Sequence, residues 1–182
     1  KSLNELTNYY QTDHIEDMIE MFREKGLGHY KDVLMSIAKS PAMIYWLDQN
    51  ENHATAVNEN WGRELLELFT MGVGNYTETD VREASRAFTG WTLEHKLPRF
   101  HMGRWDWEFK FIPEDHDYGE KEFLGHKGNF DGEEIVDIIL SKKPTAELTK
   151  SFQLDGTGKT KSIPRCSSII QLSARYRPLS KP

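Results

Sequence analysis

The sequence predicts a mainly α domain of five or six helices that carries one small β-hairpin insertion. Three observations support this fold class. Apolar residues recur at helical spacing over several segments. Several of these segments begin at a capping residue or end at a glycine. One segment, residues 104–111, alternates charged and aromatic side chains as a half-buried strand does. The chain has 182 residues, a length that suits one domain.

The helices follow from periodicity and capping residues. Asp13 and Glu16 have capping-box spacing and introduce the apolar positions Ile15, Met18, Ile19 and Phe22. Ser40 followed by Pro41 is typical of a helix start. The remaining helices are predicted around 30–37, over 58–71, from Thr77 to about 90, and from Asp131 with Glu134 at capping-box spacing.

The hairpin is predicted over about residues 104–124. Its first strand is RWDWEFKF, with residues 121–124 as the partner and PEDHDYGE as the turn. One face of the first strand carries Trp105, Trp107, Phe109 and Phe111. Such a face can stack on sugars or bases, but it more often packs against helices, and we favour packing.

The last part of the chain differs from the rest. From residue 145 onward it carries seven basic and two acidic residues, whereas the first 144 residues carry 16 and 27. We therefore expect a helical domain over 1–150, as a fragment of a longer protein. We expect residues 151–182 to be a basic tail, either disordered or foreign to the domain, as a truncated or frame-shifted gene would produce. A nucleic-acid arm is the less favoured interpretation of that tail.

Composition excludes several classes of protein. A net charge of −6 and a pI near 5.7 give no electrostatic footprint for nucleic acid. No apolar run approaches the roughly 18–20 residues of a membrane span. The single cysteine, Cys166, excludes an internal disulfide and a cysteine-based zinc site, and H-x-x-x-H is absent. The turn GVGNYT matches no nucleotide-binding loop, so we predict no cofactor and no metal, and the chain shows no secretory signal.

A group of charged residues is the first candidate for chemistry. Glu59 and Arg63 are four residues apart, as are Arg63 and Glu67, with Glu64 beside them and Arg86 on the next helix. Paired carboxylates near arginines can divide acid and base roles. A salt-bridge lattice is the favoured alternative. We expect Glu59, Arg63 and Arg86 to form a partly buried network, so that Arg63→Ala costs roughly 3–5 kcal/mol.

The predicted hairpin turn is the second candidate. It holds His116 and Asp117 among further acidic residues, a composition suited to a hard cation or a general base. The twelve-residue calcium-loop pattern is absent, and a solvated turn is the favoured interpretation.

Three segments carry a family resemblance. They are SPAMIYWLD (40–48), NENWGRELLELFTMGVGNYTETDVREASRAFTGW (58–91) and HDYGEKEFLG (116–125). Over about residues 30–144 the chain resembles a large bacterial family of domains of unknown function, numbered 1800. The resemblance implies an α-helical domain in larger, often exported proteins, commonly encoded beside a second family that resembles sulfatases in fold. It implies no established reaction. Phe69 departs from it, because the family commonly has histidine there.

Two hypotheses of function follow. The favoured one is an interaction or structural module of an exported protein, acting with a partner enzyme encoded nearby. The alternative is a hydrolase-like enzyme that uses Glu59, Arg63, Glu64 and Arg86 with the pair His116–Asp117. A His116 in a cleft beside Glu59 or Glu64 favours the enzyme, whereas an isolated hairpin tip favours the module. The sequence does not identify a small-molecule ligand.

Overall fold

The computed structural model describes residues 16–96 and 106–152. Its helices are α1 (16–25), α2 (Tyr30–Ala38), α3 (Pro41–Trp46), α4 (Asn60–Glu64), α5 (Glu78–Ala87), α6 (Gly132–Leu140) and α7 (Lys143–Phe152). A π-helical stretch, Leu65–Thr70, continues α4, and 3-10 turns lie at Gln49–Glu51 and Pro113–Asp115. The strands are β1 (Trp91–Lys96), β2 (Asp106–Phe111), β3 (Lys121–Phe123) and β4 (His126–Gly128).

The mainly α prediction is confirmed, with one more helix in the described residues than the five or six expected. The capping boxes that begin α5 and α6 are both formed, at Thr77 with Asp80 and at Asp131 with Glu134. Asp13 and Ile15 lie outside the described residues. Nearly all of the expected tail does too, since the described chain stops at the end of α7. No helix in the described ranges is both long and apolar enough to cross a membrane.

The expected strand pairing is wrong. β2 pairs in antiparallel fashion with β1, so that Leu93 lies opposite Phe109, and β3 pairs with β4 in a second hairpin. Residues 91–96, WTLEHK, also alternate apolar and polar side chains, which makes them a better partner than the short segment 121–124. The second hairpin closes through Leu124 and Gly125, whose φ angles of +48° and +80° permit a two-residue turn.

The aromatic face of β2 packs against the protein. Phe109 contacts Trp91 with ring centroids 5.1 Å apart, and Trp107 contacts Tyr45 of α3 at 5.3 Å. Phe111 remains 39% exposed but contacts the ring of His116. Arg104 and Trp105 lie outside the described residues.

A row of aromatic rings forms the centre of the core. Neighbouring centroids are 4.9–5.9 Å apart in the order Phe69, Trp61, Phe88, Trp91 and Phe109. Helix α4 approaches α5 closely at Gly62, where an added Cβ would lie 2.2 Å from the Ser85 hydroxyl. The row thus joins α4, α5 and the first hairpin into one core.

Helix α5 lies at the centre of the polar contacts as well. At its C-terminal end Asn52 donates to the Ser85 carbonyl at 2.9 Å and Gln49 donates to the Phe88 carbonyl at 2.7 Å. Both amides are buried. They add hydrogen bonds to carbonyls in the last turn and at the C-cap of α5, where the regular intrahelical bonds end. The polar loop before α4 is therefore a cap for α5.

Candidate functional site

The first charged cluster, which we name the Arg63 cluster, consists of Glu59, Arg63 and Glu78. The Arg63 guanidinium donates to both carboxylate oxygens of Glu78, at 3.0 and 2.7 Å, and to Glu59 at 3.4 Å. These hydrogen bonds raise the pKa of Arg63 and lower the pKa of Glu78. The side chains of Arg63 and Glu78 are 37% and 75% exposed. The cluster is therefore a surface ion-pair lattice.

The expected Arg63–Glu67 ion pair is not among those that the described residues form, because the helix changes its pitch between the two residues. Glu67 lies in the π-helical stretch, where residues four apart no longer stand above one another. Glu67 instead accepts a hydrogen bond from the Tyr76 hydroxyl at 3.2 Å. Burial raises the pKa of Glu64, and the neighbouring Glu67 carboxylate raises it further.

The second cluster, which we name the Arg86 cluster, consists of Glu83, Arg86 and Asp117. Arg86 donates to the Asp117 carboxylate through Nε at 2.7 Å and Nη2 at 3.3 Å, and to Glu83 through Nη1 at 2.7 Å. The three side chains are only 13–21% exposed. The bonds between them raise the pKa of Arg86 and lower the pKa of Asp117.

The expected network of Glu59, Arg63 and Arg86 is thus wrong. Arg63 faces the first turn of α5, whereas Arg86 faces the segment that leads into β3. The ion pairs among the described residues keep the two arginines in separate clusters. The pairing of each arginine depends on a tertiary partner that helix spacing does not reveal.

His116 lies neither in a cleft beside Glu59 or Glu64 nor at an isolated hairpin tip. It is 7% exposed, its Nδ1 donates to the Thr89 carbonyl at 2.8 Å, and its ring contacts Phe111 and Tyr118. Thr89 also accepts a hydrogen bond at its hydroxyl from the Asp117 amide, at 2.8 Å. The expectation of a solvated turn is therefore wrong for His116, which anchors the segment against the end of α5.

Lys121 is a buried cation that belongs to none of the sequence motifs described above. Its Nζ donates to the carbonyls of Asp117 and Gly119, at 2.5 and 3.1 Å, and the residue is 1% exposed. Burial lowers the pKa of Lys121. The signal was present in the sequence, because Lys121 and Phe123 share the inward face of β3.

Leu124 is held by two charged side chains. Asp80, 9% exposed, accepts from the Leu124 amide at 2.8 Å and from the Thr77 amide at 2.8 Å. Lys142 donates to the Leu124 carbonyl at 2.9 Å and to Nε2 of His126 at 3.0 Å. We name this arrangement the Leu124 clamp. It joins α5, the second hairpin and the end of α6.

An open cleft of about 950 Å³ lies between α5, the second hairpin and the start of α7. Five cations line it: Arg86, Lys121, Lys127, Lys142 and Lys143. Four carboxylates line it as well: Asp80, Glu83, Glu120 and Glu122. Of the six candidate residues only Arg86 reaches this cleft.

A histidine–carboxylate pair stands apart from these clusters. Nδ1 of His53 lies 2.5 Å from Oδ2 of Asp115, and the two side chains are 43% and 29% exposed. The sequence gives no spacing signal for this pair, since 62 residues separate its members. Among the described residues, no group of three or more His, Cys, Asp or Glu side chains has a geometry that could hold a metal ion.

A comparison with protein families supports the resemblance that the sequence motifs indicate. The family described as "Protein of unknown function (DUF1800)" matches residues 5–150. The chain belongs to this family. The DUF1800 match includes α1–α6, both hairpins and most of α7. It confirms the resemblance and extends it beyond residues 30–144 in both directions. A search of the curated proteins found no match, and a search of the solved structures found none.

Proposed function

We propose that this DUF1800 domain is an interaction module of an exported protein and acts with a partner enzyme. The partner is a member of the sulfatase-like family that the resemblance places beside DUF1800 genes. The observation that carries the proposal is the outer side of α1. Ile19 and Phe22, three residues apart on that helix, are 46% and 43% exposed, and Leu27 just beyond it is 99% exposed.

The exposed side of α1 has the chemistry of a helix that lies in a partner's groove. Apolar residues at helical spacing are the anchors of that binding mode. Exposed apolar side chains that lie together mark interaction surfaces more often than isolated ones do. Glu16 and Arg23, three residues before and four residues after Ile19, lie beside the exposed apolar stripe that Ile19 and Phe22 form. The complementary surface is an apolar groove.

The arrangement of the candidate residues supports a module over a hydrolase. The carboxylates of the Arg63 cluster and the Arg86 cluster are engaged by arginines in two separate places. His116 uses Nδ1 for the Thr89 carbonyl and is enclosed by aromatic rings. A general base needs a position within hydrogen-bond reach of a substrate, and these contacts favour a structural role for His116.

Co-purification of the full-length protein with the product of the neighbouring sulfatase-like gene tests the proposal. We expect a complex in the wild type, and at least about tenfold weaker binding for Ile19→Glu with Phe22→Glu. The control is Lys110→Gln, since Lys110 is exposed on β2, a different element from α1, and pairs with Glu94. The control changes the charge in the same direction and should leave binding unchanged. Absence of a wild-type complex, or equal binding by the stripe variant, would overturn the proposal.

A further inference from the structure

Two lysines that line the cleft beside α5 have ammonium groups without a direct ion pair among the described residues, and of the two only Lys142 is exposed enough to contact a ligand. Lys121 and Lys142 both donate to neutral acceptors, namely backbone carbonyls and the His126 ring. Within the described part of the chain, neither has a carboxylate within ion-pair distance. We propose that this cleft binds a small ligand through a carboxylate group. The proposal is independent of the α1 surface.

The floor of the cleft is held in place before any ligand arrives. The Leu124 clamp fixes the Leu124 amide through Asp80 and the Leu124 carbonyl through Lys142. The Lys142 ammonium is therefore directed by two acceptors and leaves one of its three protons for a ligand. A cation on a rigid element binds an anion with less loss of conformational entropy.

The rim supplies cations that are free to turn toward a ligand. The side chains of Lys143 and Lys127 are 89% and 63% exposed. Their ion pairs, with Glu147 at 3.8 Å and Glu120 at 3.3 Å, are long and exposed, and such pairs are weak. Lys143 lines the cleft as Lys142 does, and its long, exposed side chain can turn toward a carboxylate that Lys142 holds.

The balance of charge in the cleft selects a carboxylate over a phosphate group. Four carboxylates stand against the five cations, so the lining has little net positive charge for a dianion. Arg86, the group best suited to bidentate phosphate binding, already binds Asp117 and Glu83. A singly charged carboxylate fits this balance. A volume of about 950 Å³ also admits a ligand the size of a short peptide.

The probe is trialanine, which carries one free carboxylate, added to the intact 182-residue protein during two-dimensional NMR of the backbone amides. We expect chemical-shift changes concentrated on the amides of Leu124, Gly125 and Lys142, and a dissociation constant of about 1 mM. Trialanine amide, which lacks the carboxylate, should bind at least about fivefold more weakly. Inorganic phosphate should bind more weakly than trialanine as well.

A double variant connects the chemical-shift changes to the rim lysines. Replacing both Lys127→Gln and Lys143→Gln should weaken trialanine binding at least about fivefold. Both side chains are exposed, so folding should be unaffected. The control is Lys110→Gln, since Lys110 lies on β2 outside the cleft and pairs with Glu94. No cleft shifts at about 20 mM trialanine, equal binding of the amide, tighter binding of phosphate, or an equal loss in Lys110→Gln would each overturn the proposal.

Discussion

The Arg63 and Arg86 clusters have similar compositions and different energetics. Each has one arginine between two carboxylates, and each includes a helical pair three or four residues apart. The second carboxylate of the Arg63 cluster is 75% exposed, whereas Asp117 in the Arg86 cluster is 19% exposed and lies 31 residues from its partner. Burial decides the energy of such pairs more than their number does. We therefore expect the Arg86 cluster to stabilise the fold, and the Arg63 cluster, which lies at the surface, to contribute little to stability.

Arg86→Ala should show the largest effect. It leaves the partly buried carboxylates of Glu83 and Asp117 without their cation and removes a donor from the Glu120 carbonyl. We expect a loss of about 2–3 kcal/mol in the free energy of unfolding, measured by urea denaturation. Arg82→Ala, at an exposed position on the same helix, is the control. A loss as small as that of Arg82→Ala would show that the Arg86 cluster, like the Arg63 cluster, contributes no more than an exposed ion pair.

Asp80→Ala should rank second. Asp80 completes the capping box of α5 and accepts the Leu124 amide, so its removal leaves backbone donors unpaired at two elements. We expect a loss of about 1–2 kcal/mol in the free energy of unfolding. Thr79→Ala, one residue earlier and exposed, should change stability far less. Equal losses in the two variants would show that the Leu124 clamp contributes nothing beyond helix propensity.

The pH dependence of stability distinguishes the Arg86 cluster in a third way. Hydrogen bonding from Arg86 lowers the pKa of Asp117 in the folded state. Its contribution is therefore complete above the unfolded pKa of about 3.9 and is lost as pH falls through the lower folded value. The stability advantage of the wild type over Asp117→Asn should shrink by about 1 kcal/mol between pH 7 and pH 3. A constant difference across that range would contradict the assignment.

Arg63→Ala should show the smallest effect, contrary to what helix spacing predicts. Because the Arg63 side chain is 37% exposed, solvent and salt screen the attraction of its guanidinium to the carboxylates. We expect a loss below about 1 kcal/mol, and close to none at about 1 M sodium chloride. A salt-independent loss comparable to that of Arg86→Ala would restore the buried network that the sequence predicts.

Local signals explain which parts of the fold were predictable. The α5 and α6 capping boxes and the apolar positions of both helices are recognisable because each involves residues within a few positions of one another. The π-helical pitch after α4 leaves no such signal, so the Arg63–Glu67 spacing was misleading. The pairing of β2 with β1 is not recognisable from the sequence, because the turn-rich segment PEDHDYGE after β2 favours residues 121–124 as its partner.

The polar contacts around α5 were unpredictable for a different reason. Arg86 with Asp117, Asp80 with Leu124, and His53 with Asp115 are separated by 31, 44 and 62 residues. Nothing in the spacing of these residues connects them, and only the packed structure brings them together. Lys121 is the exception, since its position two residues before Phe123 in a predicted strand places the two side chains on the same face.

The Leu124 clamp has a consequence for the order in which the chain folds as it is synthesised. Its two charged side chains lie on opposite sides of Leu124 in the sequence: Asp80 is made earlier and Lys142 later. While the chain emerges at about 5–20 residues per second, the turn can dock on α5 through its amide well before its carbonyl finds a donor. Leu124 is therefore held through its amide alone until the end of α6 has left the ribosome, and Lys142 then supplies the donor for its carbonyl.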